Sequence, residues 1–469
     1  MPKSLTSYAL SAIMIAAGLL ANSNAYSAST SLSINIPWYI KKHIPQYNTG
    51  ILIENANTGQ VLYQLHSTQS FTPASNTKVF TAAAALWYLG PEFRFQTTLS
   101  TKGSVQNNEL DGNAYITFSG DPSFKSSNLL DLIAQLKASG VHSIDGNVIL
   151  DDSVYSGPQY PLGWPQDDLP YCYAAPATGI IINQNCMYFQ LNNGKVVHRD
   201  GNKFPVNNQV KLVARSALRT CGFEPEILGD NTVILKGCLL NQQIWNFQFA
   251  VHNPGNYAIQ MVTRYLNSQG IILKGQVELG TTPYGVKVIA TRQSANLQTL
   301  LGIMLKKSDN LYAESITRTL GKQYYGVGSH KAGANAINAI LEKQVGPDFT
   351  PPYLQDGSGE STYNLASPQQ LVQVLHAMYH SPMGKIFIKE LAISGQPGTL
   401  VYRMSTPPLR GKIFAKTGTI EGVSTLSGYI ILPGRQPVIF SIMMNEIVGS
   451  KTRARAAQDK IVTWASKVI

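Results

Sequence analysis

Charge is scarce in this chain, and acidic charge scarcest: 13% of its 469 residues are charged, with 26 acids against 37 bases. So few charges beside 44% apolar residues exclude a disordered polyelectrolyte and leave material for large cores and more than one domain. Cysteine is scarce too, with four residues, Cys172, Cys186, Cys221 and Cys238, all in one middle segment. They form no CxxC pair and have no histidine pair nearby, which argues against a metal site. An even count in an exported chain favours disulfides. Of the possible connectivities the local one, Cys172 with Cys186 and Cys221 with Cys238, is favoured, because each bridge would staple a small subdomain. No G-x-S-x-G elbow occurs, which leaves a triad hydrolase poorly supported.

Long apolar runs are also missing, apart from Ala9 to Ala21 near the amino end. That run is shorter than the roughly 20 residues of a membrane span. It follows Lys3 and ends in Ser23-Asn24-Ala25, the pattern of a cleavable signal peptide over residues 1–25. The expectation is an exported protein of the periplasm or cell envelope, soluble or peripherally membrane-associated. A net charge of +11 and an isoelectric point near 9.3 suit contact with acidic lipid head groups or anionic wall polymers. The basic residues are scattered and accompany no nucleic-acid motif, so no nucleic-acid partner is expected.

Local patterns give the organisation. Gly50 to Glu54 and Gln60 to Leu65 alternate around an Asn-Thr-Gly turn and predict a hairpin. Thr72-Pro73-Ala74-Ser75 leads into an alanine-rich run ending at Leu86, with Gly90 beyond it, which predicts a buried helix with Ser75 at its start. From about residue 98 to 290 short β-type segments alternate with Gly, Asn and Asp turns, and this stretch reads as an insertion. Helical patterns return at Asn296 to Lys307, Leu311 to Leu320, Ala332 to Glu342 and Pro368 to Tyr379. Strand patterns at Lys412 to Lys416, Thr425 to Leu432 and Pro437 to Asn445 precede a last basic helix. A hairpin at one end and a meander at the other suggest one sheet built from both termini. No internal repeat is visible.

Three short motifs carry chemistry. Ser75-Asn76-Thr77-Lys78 is an S-x-x-K tetrad whose spacing sets hydroxyl and amine on one helical face. Serine needs a base to act as a nucleophile, and a lysine whose pKa is lowered by burial supplies one. Ser308-Asp309-Asn310 falls between two helical patterns, where its side chains can enter a cleft. Lys416-Thr417-Gly418-Thr419 ends a strand. There Lys416 and the threonine hydroxyls could hold a carboxylate, while Gly418 would let a ligand lie against the backbone. Each motif alone recurs by chance; S-x-x-K, S-D-N and K-T-G in this order form the signature of β-lactamases and penicillin-binding proteins.

Ser308 stands 233 positions after Ser75 (308 − 75), far more than a compact β-lactamase needs. With Ser119-Gly120-Asp121-Pro122, Gly163-Trp164-Pro165-Gln166-Asp167-Asp168 and Asp356-Gly357-Ser358-Gly359, the chain resembles the class C, low-molecular-mass penicillin-binding proteins. These are D-alanyl-D-alanine carboxypeptidase/endopeptidases of the penicillin-binding protein 4 (DacB) type. The resemblance implies a multidomain α/β fold. A β-lactamase-like transpeptidase domain, an antiparallel sheet with helices on both faces, would carry inserted β-rich domains. The boundaries expected are 26–97 with 290–469 for the catalytic domain, 98–171 with 240–289 for the first insertion and 172–239 for a nested second one.

It also implies roles. Ser75 would be acylated by the penultimate D-alanine of peptidoglycan stem peptides and crosslinks, and by β-lactam antibiotics, with Lys78 accepting its proton. Ser308 and Asn310 would relay protons and orient the substrate amide. Lys416 would support that network and, with Thr417, Gly418 and Thr419, bind the leaving residue. The N–H groups of Ser75 and Thr419 would form the oxyanion hole. Asp168, with Tyr173 beside it, would reach the free amine of a diaminopimelate side chain. No cofactor and no metal is implied. Two rival readings stand beside this one: a β-lactamase, against which no E-x-x-L-N-like segment supplies a deacylating carboxylate, and a non-hydrolytic binding module.

Overall fold

The computed structural model describes residues 32–198, 204–242 and 244–468. The expected signal segment, residues 1–25, lies outside them. Both ends of the described chain build one six-stranded antiparallel sheet. Its order is Ala392–Ile393, Ile413–Ile420, Val423–Ile430, Val438–Asn445, Asn48–Asn55, Val61–Leu65. The terminal meander and the early hairpin therefore meet edge to edge, with Gly50 opposite Met443 and Ile51 opposite Ile442.

Why the central strands are apolar on both faces follows from what covers them. Leu52, Tyr429, Ile439 and Met443 point into a core shared with the helices Thr77–Tyr88, Leu297–Lys307 and Pro368–His380. Their neighbours Ile51, Ile53, Phe440, Ile442 and Met444 point into a second core closed by the carboxy-terminal helix Thr452–Ala465 and residues 32–43. Strand alternation thus sends successive side chains into two buried layers. The helix Thr77–Tyr88 is buried from Thr77 to Leu86, and its alanines let other helices approach on several sides.

The insertion is less purely β than its sequence texture suggests. It holds two amphipathic helices, Ser126–Ala138 and Pro254–Ser268, over a mixed seven-stranded sheet. Each helix runs into a similar segment, Gly140-Val141 to Gly146-Asn147-Val148 and Gly270-Ile271 to Gly275-Gln276-Val277. The equivalent strands pair in parallel, Ser143 with Ile272 and Val148 with Val277. The chain therefore does contain a short internal repeat, hidden because few positions match. Two smaller sheets carry Cys186 and Cys238, each bridged to a cysteine outside the strands as Cys172–Cys186 and Cys221–Cys238, with Cα separations of 5.3 and 5.5 Å. Leu99, Leu132, Phe189, Leu235 and Phe249 belong to a single apolar cluster that joins these sheets to the two helices. No helix among the described residues is long and apolar enough to cross a membrane.

Candidate active site

Ser75 sits in a 3₁₀ turn, Ala74–Asn76, that runs directly into the helix Thr77–Tyr88, and it is half-buried. One helical turn on, Lys78 is fully buried, with its Nζ 2.9 Å from Ser75 Oγ, 2.7 Å from Asn310 Oδ1 and 2.6 Å from the Ser358 carbonyl. Burial lowers its pKa to about 8 against the opposing pull of Glu360, Asp356, Glu314 and Asp309. A neutral amine beside the serine is therefore accessible near neutral pH.

A second amine and hydroxyl face this pair. Ser308 closes the helix Leu297–Lys307 in the left-handed conformation, φ 63°, and Asp309 then caps the helix Asn310–Tyr325 by accepting the Tyr312 N–H. This reversal between helices exposes the Ser308 hydroxyl to Lys416, whose Nζ lies 2.8 Å from Ser308 Oγ and 2.6 Å from the Thr417 carbonyl. Lys416 is also fully buried, and burial followed by the nearby Lys78 charge holds its pKa well below the ordinary lysine value. The edge of its strand beyond Ala415 has no strand partner among the described residues, because Ala392–Ile393 reaches only Ala415 and Phe414. An extended ligand can add there.

Gly418 serves a different purpose from the one expected. A Cβ there would lie 2.1 Å from Thr425 Oγ1 and 2.8 Å from the Pro73 carbonyl. The missing side chain lets the Ser75 turn pack on the strand, rather than making room for a ligand. Thr417 and Thr419 lie on the opposite strand face and line the cleft.

Sequence alone assigns no role to the acids that hold this arrangement, although the stretch from Asp356 to Gly359 carries part of the resemblance. Asp356 and Glu314 are fully buried. Glu314 accepts the N–H groups of Gly357 and Ser358 at 3.0 and 2.8 Å and pairs with His330 Nδ1 at 2.8 Å. Asp356 accepts from Trp164 Nε1 and from the N–H groups of Gly359 and Ser361. Together they fix the loop whose Ser358 carbonyl receives Lys78. Gly359, at φ 81°, brings that loop so close to the serine turn that a Cβ would fall 1.9 Å from the Ala74 carbonyl.

Glu360, next along, is buried at the cleft wall and accepts from Asn310 Nδ2 at 2.8 Å. Burial raises its pKa to about 7, with the Lys78 charge opposing. Asn310 also donates to the Tyr173 carbonyl at 3.0 Å, so both sides of its amide are engaged and it must exchange a partner to bind a substrate carbonyl. Asp168 and Tyr173 come from the insertion and reach the same cleft, the tyrosine hydroxyl donating to Asp168 Oδ1 and its ring stacking on Tyr171.

Two clefts open from Ser75. One, about 530 Å³, runs past Asn310, Glu360, Tyr173 and Asp168. The other, about 450 Å³, runs past Thr417 and Thr419 towards Tyr402 and Arg455. The structure thus brings Ser75, Lys78, Ser308, Asn310, Lys416, Thr417, Thr419, Asp168 and Tyr173 to one site. The four cysteines lie outside its chemistry, although Cys172 adjoins Tyr173.

Known proteins share this architecture. "D-alanyl-D-alanine carboxypeptidase DacB" of Haemophilus influenzae is 33% identical over 93% of this chain and 93% of its own. The crystal structure of penicillin binding protein 4 (dacB) from the same organism superposes with a TM-score of 0.87 at 31% identity, covering 92% of this chain and 99% of that one. Its complex with a novel β-lactam gives 0.82 at 31% identity, over 93% and 99%. Residues 33–468 match one family throughout, and the chain belongs to it: the D-Ala-D-Ala carboxypeptidase 3 (S13) family.

Proposed function

We propose that Ser75 is the nucleophile of a serine-type D-alanyl-D-alanine carboxypeptidase/endopeptidase that cleaves peptidoglycan stem peptides and crosslinks and is acylated by β-lactams. The observation that carries the assignment is the 2.9 Å contact between Ser75 Oγ and the buried amine of Lys78, faced by the Lys416–Ser308 pair. In this reading Lys78 takes the hydroxyl proton as Oγ attacks the penultimate D-alanine carbonyl. The N–H groups of Ser75 and Thr419 stabilise the oxyanion. Ser308, backed by Lys416, returns a proton to the departing amine, and Thr417 and Thr419 hold the leaving residue's carboxylate. Water then hydrolyses the ester and frees Ser75.

Asp168, with Tyr173 positioning it, receives the free amine of the donor side chain. The residue ranges 26–97 and 290–469 are the catalytic unit in this account, 98–171 with 240–289 the first insertion and 172–239 the nested one. The site for this chemistry is the cell envelope, where the positive net charge suits peripheral contact with anionic lipids or wall polymers.

Intact mass after mixing with benzylpenicillin tests the assignment. Wild type gains one long-lived adduct, and Ser75→Ala, still folded by circular dichroism, gains none. Labelling of Ser75→Ala would overturn it, and rapid loss of the adduct with drug consumption would make the protein a β-lactamase.

A further inference from the structure

The two clefts that meet at Ser75 differ in charge. On the side of Asn310 the walls carry Asp167, Asp168, Glu360 and Glu421, and the lysine present, Lys451, is paired with Glu421 at 3.0 Å. On the side of Thr417 no carboxylate lines the walls among the described residues; they carry two guanidinium groups, Arg403, ion-paired with Asp459 at 2.6 Å, and Arg455. Asp459 and Gln458 hold Arg403 in place through its Nε and Nη2. Arg455 is exposed, and while its backbone carbonyl accepts from Arg403 Nη2, its guanidinium has no hydrogen-bond or ion-pair partner among the described residues. It stands in the first turn of the helix Thr452–Ala465, which has no acidic residue there, so the positive end of the helix dipole adds to its field.

Two further features point to a ligand. Thr399 Oγ1 is buried against this cleft and lacks a hydrogen-bond partner among the described residues. A buried hydroxyl without a partner is costly, and rotation of the Thr399 side chain into the cleft would let a bound carboxylate or amide satisfy it. Tyr402 is 90% exposed, so its ring is free to pack on a bound chain. The cleft's 450 Å³ is of the size that holds ligands much larger than one alanine.

We propose that this cleft is a subsite for an anionic leaving group, the acceptor stem released from a peptide crosslink, whose carboxylates are held by Arg455 with Arg403 beside it. This rests on the assignment of Ser75 and of Thr417 to the leaving side. The bond broken is the amide between the donor carbonyl and the acceptor amine. The acyl part stays on Ser75, and the amine departs with a proton into the basic cleft, attached to a stem whose free carboxylates face the guanidinium groups. A lone terminal D-alanine fills only the first part of this space, so the subsite favours crosslinks over simple pentapeptides. It also makes the charge order of the site match that of the substrate, amine on the acyl side and carboxylates on the leaving side.

The test compares three synthetic substrates with wild type, Arg455→Gln and Arg455→Lys: a crosslinked stem dimer, the same dimer with the leaving stem's carboxylates amidated, and a monomeric pentapeptide. For Arg455→Gln the ratio of kcat/KM for the dimer to that for the pentapeptide falls about tenfold, the size of one good charge contact, and the change lies in KM. Arg455→Lys restores most of the ratio, and the amidated dimer shows no such fall. Equal losses on all three substrates would mean that Arg455 only supports the fold, and an unchanged ratio would mean that the cleft holds no acceptor stem; either result overturns the subsite. Benzylpenicillin labelling of the wild type is run alongside, because its absence marks failure of the Ser75 assignment itself.

Discussion

Ser75, Lys78, Ser308, Asn310 and Lys416 were legible because each belongs to a fixed local spacing, and three such spacings in order leave little room for chance. Glu360 was not, since its meaning lies in a contact with Asn310, 50 positions away, that no local pattern encodes. The acid has a consequence for pH. Its negative charge raises the pKa of Lys78, which burial has brought to about 8. The active base is the neutral amine, so acylation gains rate as pH rises towards that value. Glu360→Gln removes an attraction for the ammonium form and lets Lys78 lose its proton earlier, while Asp356, Glu314 and Asp309 remain. The acidic limb of the benzylpenicillin acylation profile therefore moves to lower pH, by at most about one unit, because Glu360, with its pKa raised to about 7, carries its charge only above that pH. Stopped acylation followed by mass from pH 5 to 9 measures it; a limb that stays in place or moves upward would show that Glu360 does not set the base.

Among elements, the hairpin, the alanine-rich helix and the terminal meander were read correctly, because strand alternation and helix punctuation are local signals. The helices Ser126–Ala138 and Pro254–Ser268 were missed although Leu129, Leu132, Ile133 and Leu136 recur at helical spacing. Frequent glycine and asparagine on either side give these stretches the local texture of turns. The two disulfides differ in what they adjoin. Cys172–Cys186 anchors the residue before Tyr173, whose carbonyl holds Asn310 and whose hydroxyl holds Asp168. Cys221–Cys238 joins a strand to a loop, and neither of its cysteines lines a cleft at Ser75. Replacing either pair with serine costs about 3 kcal/mol for loops of this length. Only the Cys172→Ser, Cys186→Ser protein should also lose several-fold in acylation rate, measured on the fraction that remains folded. Matching kinetic losses in both double variants would sever the link from this bridge to the site.

At the scale of the molecule, the insertion grips the catalytic loops as well as decorating them. Arg318, buried in a catalytic helix, donates to the carbonyls of Ala177 and Ser156, and Tyr155 reaches back to the Ser315 carbonyl. Gln184 holds Asp309, and Trp164 donates to Asp356 at 2.9 Å. This last contact opens a path to the nucleophile: Asp356 fixes the loop, the Ser358 carbonyl holds Lys78, and Lys78 meets Ser75. No sequence pattern could reveal it, because the tryptophan and the carboxylate are 192 positions apart. Trp164→Phe keeps an aromatic ring beside Tyr160 while it deletes the indole N–H together with part of the ring volume at a buried position. A hydrogen bond to a buried carboxylate is worth about 1.5–3 kcal/mol, so the midpoint of thermal unfolding falls by a few degrees. If the insertion positions the catalytic amine, acylation by benzylpenicillin slows with it, roughly tenfold, at a temperature where the variant is fully folded. A lowered midpoint with an unchanged acylation rate would confine the tryptophan to stability, and the insertion would then shape substrate access without setting the geometry of Lys78.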